Sequence, residues 1–168
     1  MTNDQHLIPL LTNSNLLVWQ KPEIIRWSQI LANSYKQLLG KELIKSANTP
    51  EELAAALFSA SFVVVSHDTQ ADPIFNYGNQ TALQLWSISW DEFTQTPSRL
   101  SAEPVNRVTR AAMLEQAATQ GYIDNYQGIR ISRTGQRFLI KQAIIWNLTD
   151  ALGQKCGQAA TFSDWHWV

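Results

Sequence analysis

Cysteine is almost absent: Cys156 is the only one in 168 residues. That excludes an internal disulfide framework and any metal site built on several thiolates. An excess of one charge is also missing. Thirteen Lys and Arg against fourteen Asp and Glu leave a formal net charge of -1, so the overall balance offers nothing to nucleic acid or to an anionic membrane. No apolar run approaches the roughly 18 residues of a membrane-crossing helix. The N-terminus, MTNDQHLIPLL, lacks the basic start and long apolar core of a signal peptide. These absences predict a soluble, cytoplasmic protein. No internal repeat or low-complexity tract stands out. Tryptophan, by contrast, is abundant. Seven of them, in a chain 45% apolar and 16% charged, call for a core, groove or interface that takes large flat rings.

The first 21 residues are weakly patterned, yet Leu10, Leu11, Leu16, Leu17, Val18 and Trp19 are too apolar for a free tail. Pro22 suits the first turn of a helix. Ile24, Trp27, Leu31, Tyr35 and Leu38 then recur at three- and four-residue spacing up to Gly40, giving an amphipathic helix. Its apolar face needs either the protein's own sheet or the same helix of a second copy. Thr49, Pro50 and Glu52 form a strong helix start. Phe62 to Val65 is a continuous branched run, the mark of a strand covered on both sides. Pro73 to Tyr77 can pair with it as a hairpin.

The stretch from Asp72 to Ser101 organises the rest. It reads as a strand, a break at Gly78 and Asn79, and two short helices, the second capped by Ser89 and Glu92. A longer helix follows, its apolar stripe set by Val108, Ala111, Leu114 and Ala118, with Arg107 and Arg110 away from the stripe's centre. After Gly121 the period changes to that of strands. Gly128 marks a bulge or a close approach, and Arg133-Thr134-Gly135 a hairpin turn. In the strand from Gln136 to Asn147, Phe138, Ile140, Ile144 and Trp146 share one face with Gln142 in its middle. A last strand runs from Gly157 to Trp165. Five strands with the helices gathered between the second and third make an α+β layout, the helices covering one face of the sheet.

That order resembles a PAS domain, and the local motifs narrow the resemblance to the MEKHLA domain family, in its stand-alone bacterial form. The residues that carry it are Pro73-Ile74-Phe75-Asn76-Tyr77-Gly78-Asn79-Gln80, Thr96-Pro97-Ser98-Arg99, Gly121-Tyr122-Ile123, Gly128-Ile129-Arg130-Ile131-Ser132, Gly135-Gln136-Arg137, Gln142-Ala143 with Trp146, and Ala160 to Trp165. It covers residues 50 to 168. The six-letter string that names the family is absent. The resemblance implies a PAS-like five-stranded antiparallel sheet over residues 49–168, preceded by an N-terminal helical extension over residues 1–48. It further implies a sensory or interaction module that is not an enzyme, binds a small molecule or a protein partner, and signals through a separate protein. No nucleic acid or membrane is expected as partner. A homodimer through the N-terminal helix is the candidate assembly.

In the PAS-like layout Asn76, Tyr77, Asn79 and Arg99 border the pocket, where an amide, a phenol and a guanidinium would fix a polar or anionic ligand. The bland alternative makes Asn79 a helix cap and pairs Arg99 with an acid such as Glu103. Gln142 on an apolar face needs partners, either a ligand or a backbone group. Trp86, Trp90, Phe93 and Trp146 can wall a pocket or simply fill the core. Arg99, Arg107, Arg110 and Arg130 are candidates for an anion site, although dispersed arginines are commonly solvated. Asp164 and His166 have no further metal ligand nearby. Cys156 lies outside the helical segment where flavin-binding photoreceptor PAS domains carry their reactive cysteine, and no His lies in the helix 104–119 to hold haem. The cofactor stays unknown. A second reading, a small enzyme or carrier with an apolar pocket, would use Asp124 or Asp72 as its base.

Overall fold

The computed structural model describes residues 16–168, apart from the side chains of residues 104–106. The docking expected for Leu10 and Leu11 lies outside these. A 3-10 turn at Val18–Gln20 leads into α1 (Pro22–Leu39), started by Pro22 and ended by Gly40 in the left-handed region. Next come α2 (Pro50–Phe58), β1 (Val63–His67) and β2 (Phe75–Gly78). Two short helices, α3 (Gln80–Trp86) and α4 (Trp90–Phe93), precede α5 (Pro104–Gln120). The chain ends in β3 (Tyr122–Ile131), β4 (Arg137–Thr149), β5 (Lys155–Phe162) and β6 (Asp164–Trp167).

The sheet order is β2-β1-β5-β4-β3, with every neighbouring pair antiparallel. The predicted last strand breaks at Ser163. Its tail, β6, stays alongside the first half of β4, so the sheet has a sixth strand.

The helices divide between the two faces. Residues of α3, α4 and α5 pack with Val63, Val65, Phe138, Ile140, Ile145 and Phe162 on one face. The N-terminal helices α1 and α2 cover the other, where Leu31, Tyr35 and Leu57 meet Val64, Trp146 and Leu148. The expectation that helices cover one face therefore holds for α3 to α5 only. The apolar stripe of α1 is taken up by its own sheet, so a contact with a second copy through that stripe is not free to form.

Bulges decide which residue faces which way. In β4, Gly128 pairs with Ile140 while Tyr126 pairs with Ala143, so β4 holds one extra residue between them. Gln142 sits in that bulge with φ 52°, exposed to solvent. A bulge inverts the alternation that follows it. Phe138 and Ile140 thus share a face with Ala143 and Ile145, while Ile144, Trp146 and Leu148 turn to α1. The single apolar face predicted for β4, with Gln142 at its centre, does not exist. A second bulge at Asn125, φ 55°, sits in β3, and a third lies in β2 at Asn76.

Candidate functional site

Between the sheet and α5 lies a cavity of about 60 Å3. Its walls include Val65, Leu114, Ile140, Ile145 and Phe162, all apolar, together with His67, Trp86, Arg110, Tyr126 and Arg130. Two arginines therefore line a mostly apolar space, with Ser66, His67, Ser101 and Gln158 as its other polar residues.

Arg130 stands on β3 two residues beyond Gly128. Its Nη2 donates to Tyr126 Oη at 2.9 Å, its Nη1 donates to Ile129 O at 3.0 Å, and the guanidinium lies 5.3 Å from the centre of the Tyr126 ring. Gly128 makes this pair possible. A Cβ there would stand 2.7 Å from Tyr126 Oη and 3.2 Å from Arg130 Nη1. The close approach suggested by the sequence is real: the Tyr126 hydroxyl comes nearest, with the Arg130 guanidinium beside it.

Arg110 reaches inward from α5 and donates through Nη2 to Ser98 Oγ at 2.9 Å. Ser98 is itself buried. Burial, reinforced by the like charge of Arg130, pulls the Arg110 pKa down to about 10 against the opposing effect of Tyr126. Arg110 remains a cation at neutral pH. Among the described residues, neither Arg110 nor Arg130 has a carboxylate within ion-pair distance. Buried charges left without a partner are costly, and a bidentate oxyanion is the natural complement of a guanidinium.

Two further polar atoms of this wall are unmet. His67 Nδ1 stands 2.7 Å from Asp68 O, while its Nε2 is buried without a partner. Burial, with Arg110 nearby, keeps the His67 pKa below its ordinary value although the Asp68 carbonyl favours the charged ring. Trp86 Nε1 is likewise buried and unpartnered. A wider groove of about 350 Å3 adjoins the cavity, and Phe75, Trp86 and Ser101 line both.

The sequence-predicted candidates spread over the molecule. Trp86 lines the cavity, and Phe93 lines the adjoining groove and stacks on Phe75 at 4.3 Å. Asn79 is fully buried and its amide is spent. It accepts from Ala82 N and Val64 N, and donates to Leu57 O and Phe62 O. It caps α3 and ties that helix to α2 and β1. Asn76 accepts from Ser66 Oγ at 2.6 Å, and Ser66 Oγ accepts from Trp27 Nε1 of α1 at 2.9 Å. The bulge in β2 sends Tyr77 to the α1 face, where it meets Trp90 edge-on at 5.7 Å. Its hydroxyl is buried and unpartnered, and burial pushes its pKa up. Arg99 is exposed and pairs with Asp72 at 3.0 Å; Glu103 pairs instead with Arg137. Gln142 is exposed, and Trp146 is buried against Tyr35 with Nε1 donating to Leu31 O at 3.3 Å. Neither lines the cavity. Of the four candidate arginines, Arg110 and Arg130 come together, whereas Arg107 donates to Ala102 O outside the cavity wall.

The helix α5 is rotated from the predicted phase. Val108, Ala111 and Ala118 are exposed, and the inward face is Arg110, Leu114 and Ala117. Both sets have helical spacing. Alanines mark a face weakly, so the arginine took the inner one.

A family model for the MEKHLA domain matches residues 25–167. The chain belongs to the MEKHLA domain family. That match begins inside α1, so the family's segment includes the helix that covers the second face of the sheet. A comparison with curated proteins finds no match. Among solved structures, a PAS domain from Colwellia psychrerythraea superposes on this MEKHLA domain with a TM-score of 0.57 at 15% identity, over 68% of this chain and 92% of that one. The photo-excited blue-light photoreceptor Vivid gives 0.55 at 13% identity, over 80% and 94%. A light-oxygen-voltage domain studied with a flavin analogue gives 0.55 at 19%, over 69% and 84%. At these identities the likeness establishes the PAS fold and nothing finer.

Proposed function

We propose that this MEKHLA domain is a sensory module whose cavity binds a small oxyanion between Arg110 and Arg130. The observation that carries this reading is the pair of arginines, Arg130 buried and Arg110 half-buried, without an acid partner among the described residues in a mostly apolar cavity. A bound anion would supply the missing charge, bonding to both guanidiniums and relieving their mutual repulsion. The cavity's 60 Å3 leaves room for about four to six atoms of water's size. That is far below the roughly 300–1,000 Å3 of pockets for drug-sized ligands, so the cavity suits a ligand of a few atoms. Cys156 also packs in the cluster on the α1 side of the sheet, away from the cavity.

Occupancy would be reported by α5. This helix carries Arg110 inward and presents Val108, Ala111 and Ala118 to solvent, a mildly apolar strip for a separate protein to read. A ligand shifts such a helix only as far as it favours one position over another, and a contact to Arg110 supplies that preference. The second reading, an enzyme with Asp72 or Asp124 as base, finds no support. Both are exposed, and Asp72 is paired with Arg99.

The test is calorimetric titration of protein dialysed into an anion-poor zwitterionic buffer, with formate, acetate, bicarbonate and phosphate as probes. Saturable binding of at least one is expected, lost in Arg110→Met and in Arg130→Met. No saturable binding by any of the four would overturn the reading.

A further inference from the structure

The two arginines account for an anion's negative oxygens, but His67 faces the same space and asks for something different. A carbonyl oxygen can only accept, so the 2.7 Å contact to Asp68 O places the ring hydrogen on Nδ1. The neutral ring then presents a bare lone pair at Nε2, which is buried and bonded to nothing. A lone pair repels a carboxylate oxygen and accepts from a hydroxyl. Trp86 Nε1 is the opposite case, a buried donor without an acceptor. The residues that line the cavity therefore carry two guanidiniums, one unmet neutral donor and one unmet acceptor.

Resting on the oxyanion reading above, we infer that the ligand is a small 2-hydroxycarboxylate, its carboxylate held by Arg110 and Arg130 and its hydroxyl donating to His67 Nε2. The indole of Trp86 supplies a further donor to an oxygen of the same molecule. The apolar walls Val65, Ile140, Ile145 and Phe162 suit a short carbon skeleton. Glycolate and lactate, with five and six non-hydrogen atoms, match the room for about four to six. A histidine held neutral by burial is consistent with an acceptor role.

The discriminating measurement compares glycolate with acetate, and lactate with propionate, by calorimetric titration of the full chain at pH 7.5. Each pair differs by one hydroxyl. A site that leaves a buried acceptor unpaired rejects the analogue lacking the donor. Glycolate should bind at least tenfold more tightly than acetate, and lactate than propionate. His67→Phe should bring each ratio to within about twofold while acetate still binds, and His67→Gln serves as the second variant if the first does not fold. Equal affinity of glycolate and acetate for the wild-type protein would overturn the inference while leaving the oxyanion site standing. Acetate binding that strengthens about tenfold per pH unit on acidification would also overturn it, because His67 would then be donating to a plain anion. Failure of all four carboxylates would overturn the inference, and the oxyanion reading itself falls only if formate, bicarbonate and phosphate fail as well.

Discussion

The two faces of the sheet are built from the same strands and solve opposite problems. On the α1 face two indoles are satisfied: Trp27 donates to Ser66 Oγ and Trp146 to Leu31 O. On the α5 face Trp86 Nε1 and His67 Nε2 are left unpaired, and two cations share a void. The α1 face has an unmet group of its own, the Tyr77 hydroxyl, but no buried charge accompanies it. One face is assembled to stay closed. The other holds polar groups whose cost only an added molecule would offset. The difference is imposed by backbone, because bulges at Asn76 and Gln142 send Tyr77 and Trp146 to the closed face and leave Phe75, Ala143 and Ile145 on the open one.

The largest test overrides that device. Inserting one alanine between Ala143 and Ile144 shifts Ile144 to Thr149 by one position and exchanges their faces. Trp146 would be driven towards the cavity and Ile145 towards α1. The expected loss exceeds the roughly 5–15 kcal/mol that holds a domain together, so no cooperative urea transition should remain. A folded insertion variant with native near-ultraviolet circular dichroism would show that the register after the bulge does not hold the faces.

A smaller substitution weighs the faces against each other. Trp146→Ala removes a fully buried ring from the closed face and should cost about 3–5 kcal/mol in urea unfolding. Trp146→Phe and Trp86→Phe make a matched pair. The first loses a hydrogen bond to Leu31 O and the second loses none, so Trp146→Phe should be worse by about 1 kcal/mol. Equal costs would mean that the two indoles are no differently placed in energy.

The parts of this arrangement that sequence revealed are those with local causes. The three- and four-residue spacing of Ile24, Leu31 and Tyr35 marks α1 whatever it packs on, and Thr49, Ser89 and Asn79 cap the helices they precede. The order of helices and strands, and with it the PAS-like fold, follows from such signals. The site does not. Strand alternation presumes an unbroken register, so Gln142 read as a buried amide when it is the exposed residue that breaks the register. In α5, Ala111 and Ala118 are too small to fix the helix phase against Arg110. His67 carries no motif at all; its contact to Asp68 O is local, but the arginines opposite are brought there by tertiary structure. Gly128 stands out in the sequence as a special position, but its admission of Tyr126 and Arg130 is a matter of tertiary packing.

The open face should also be the acid-sensitive one. His67 is held neutral by burial, with Arg110 and Lys155 adding like charge and Asp68 opposing. Its folded pKa lies below that of the unfolded chain, near 6.5. As pH falls through about 6.5 and towards the folded value, the unfolded chain takes up a proton that the folded one resists, so stability falls. Burial pushes the Asp68 carboxyl up, but bonds from Ile74 and Gln70 hold it below its ordinary value, so its contribution is lost only at still lower pH. Urea unfolding in anion-poor buffer should weaken from pH 7 to 5, and His67→Gln should flatten that slope. An unchanged slope would place the acid sensitivity elsewhere.

The smallest effect returns to the bulge itself. Gln142 is exposed, makes no side-chain hydrogen bond among those of the described residues, and holds φ 52°, a left-handed conformation that strains any residue with a Cβ. Glycine adopts it freely but loses more conformational freedom on folding. Relief of strain should outweigh that entropy at a position already fixed by the strands on either side. Gln142→Gly should therefore stabilise the protein by about 0.5–1 kcal/mol, read as a higher urea midpoint with an unchanged slope. Because nothing else at the site moves, affinity for the small anions should stay at the wild-type value. A stabilised variant with unaltered binding would establish that the bulge sorts side chains between the faces and does nothing else. A destabilised one would mean that the glutamine side chain holds the turn by contacts along the groove it shares with Tyr35, Ile144 and Ser163.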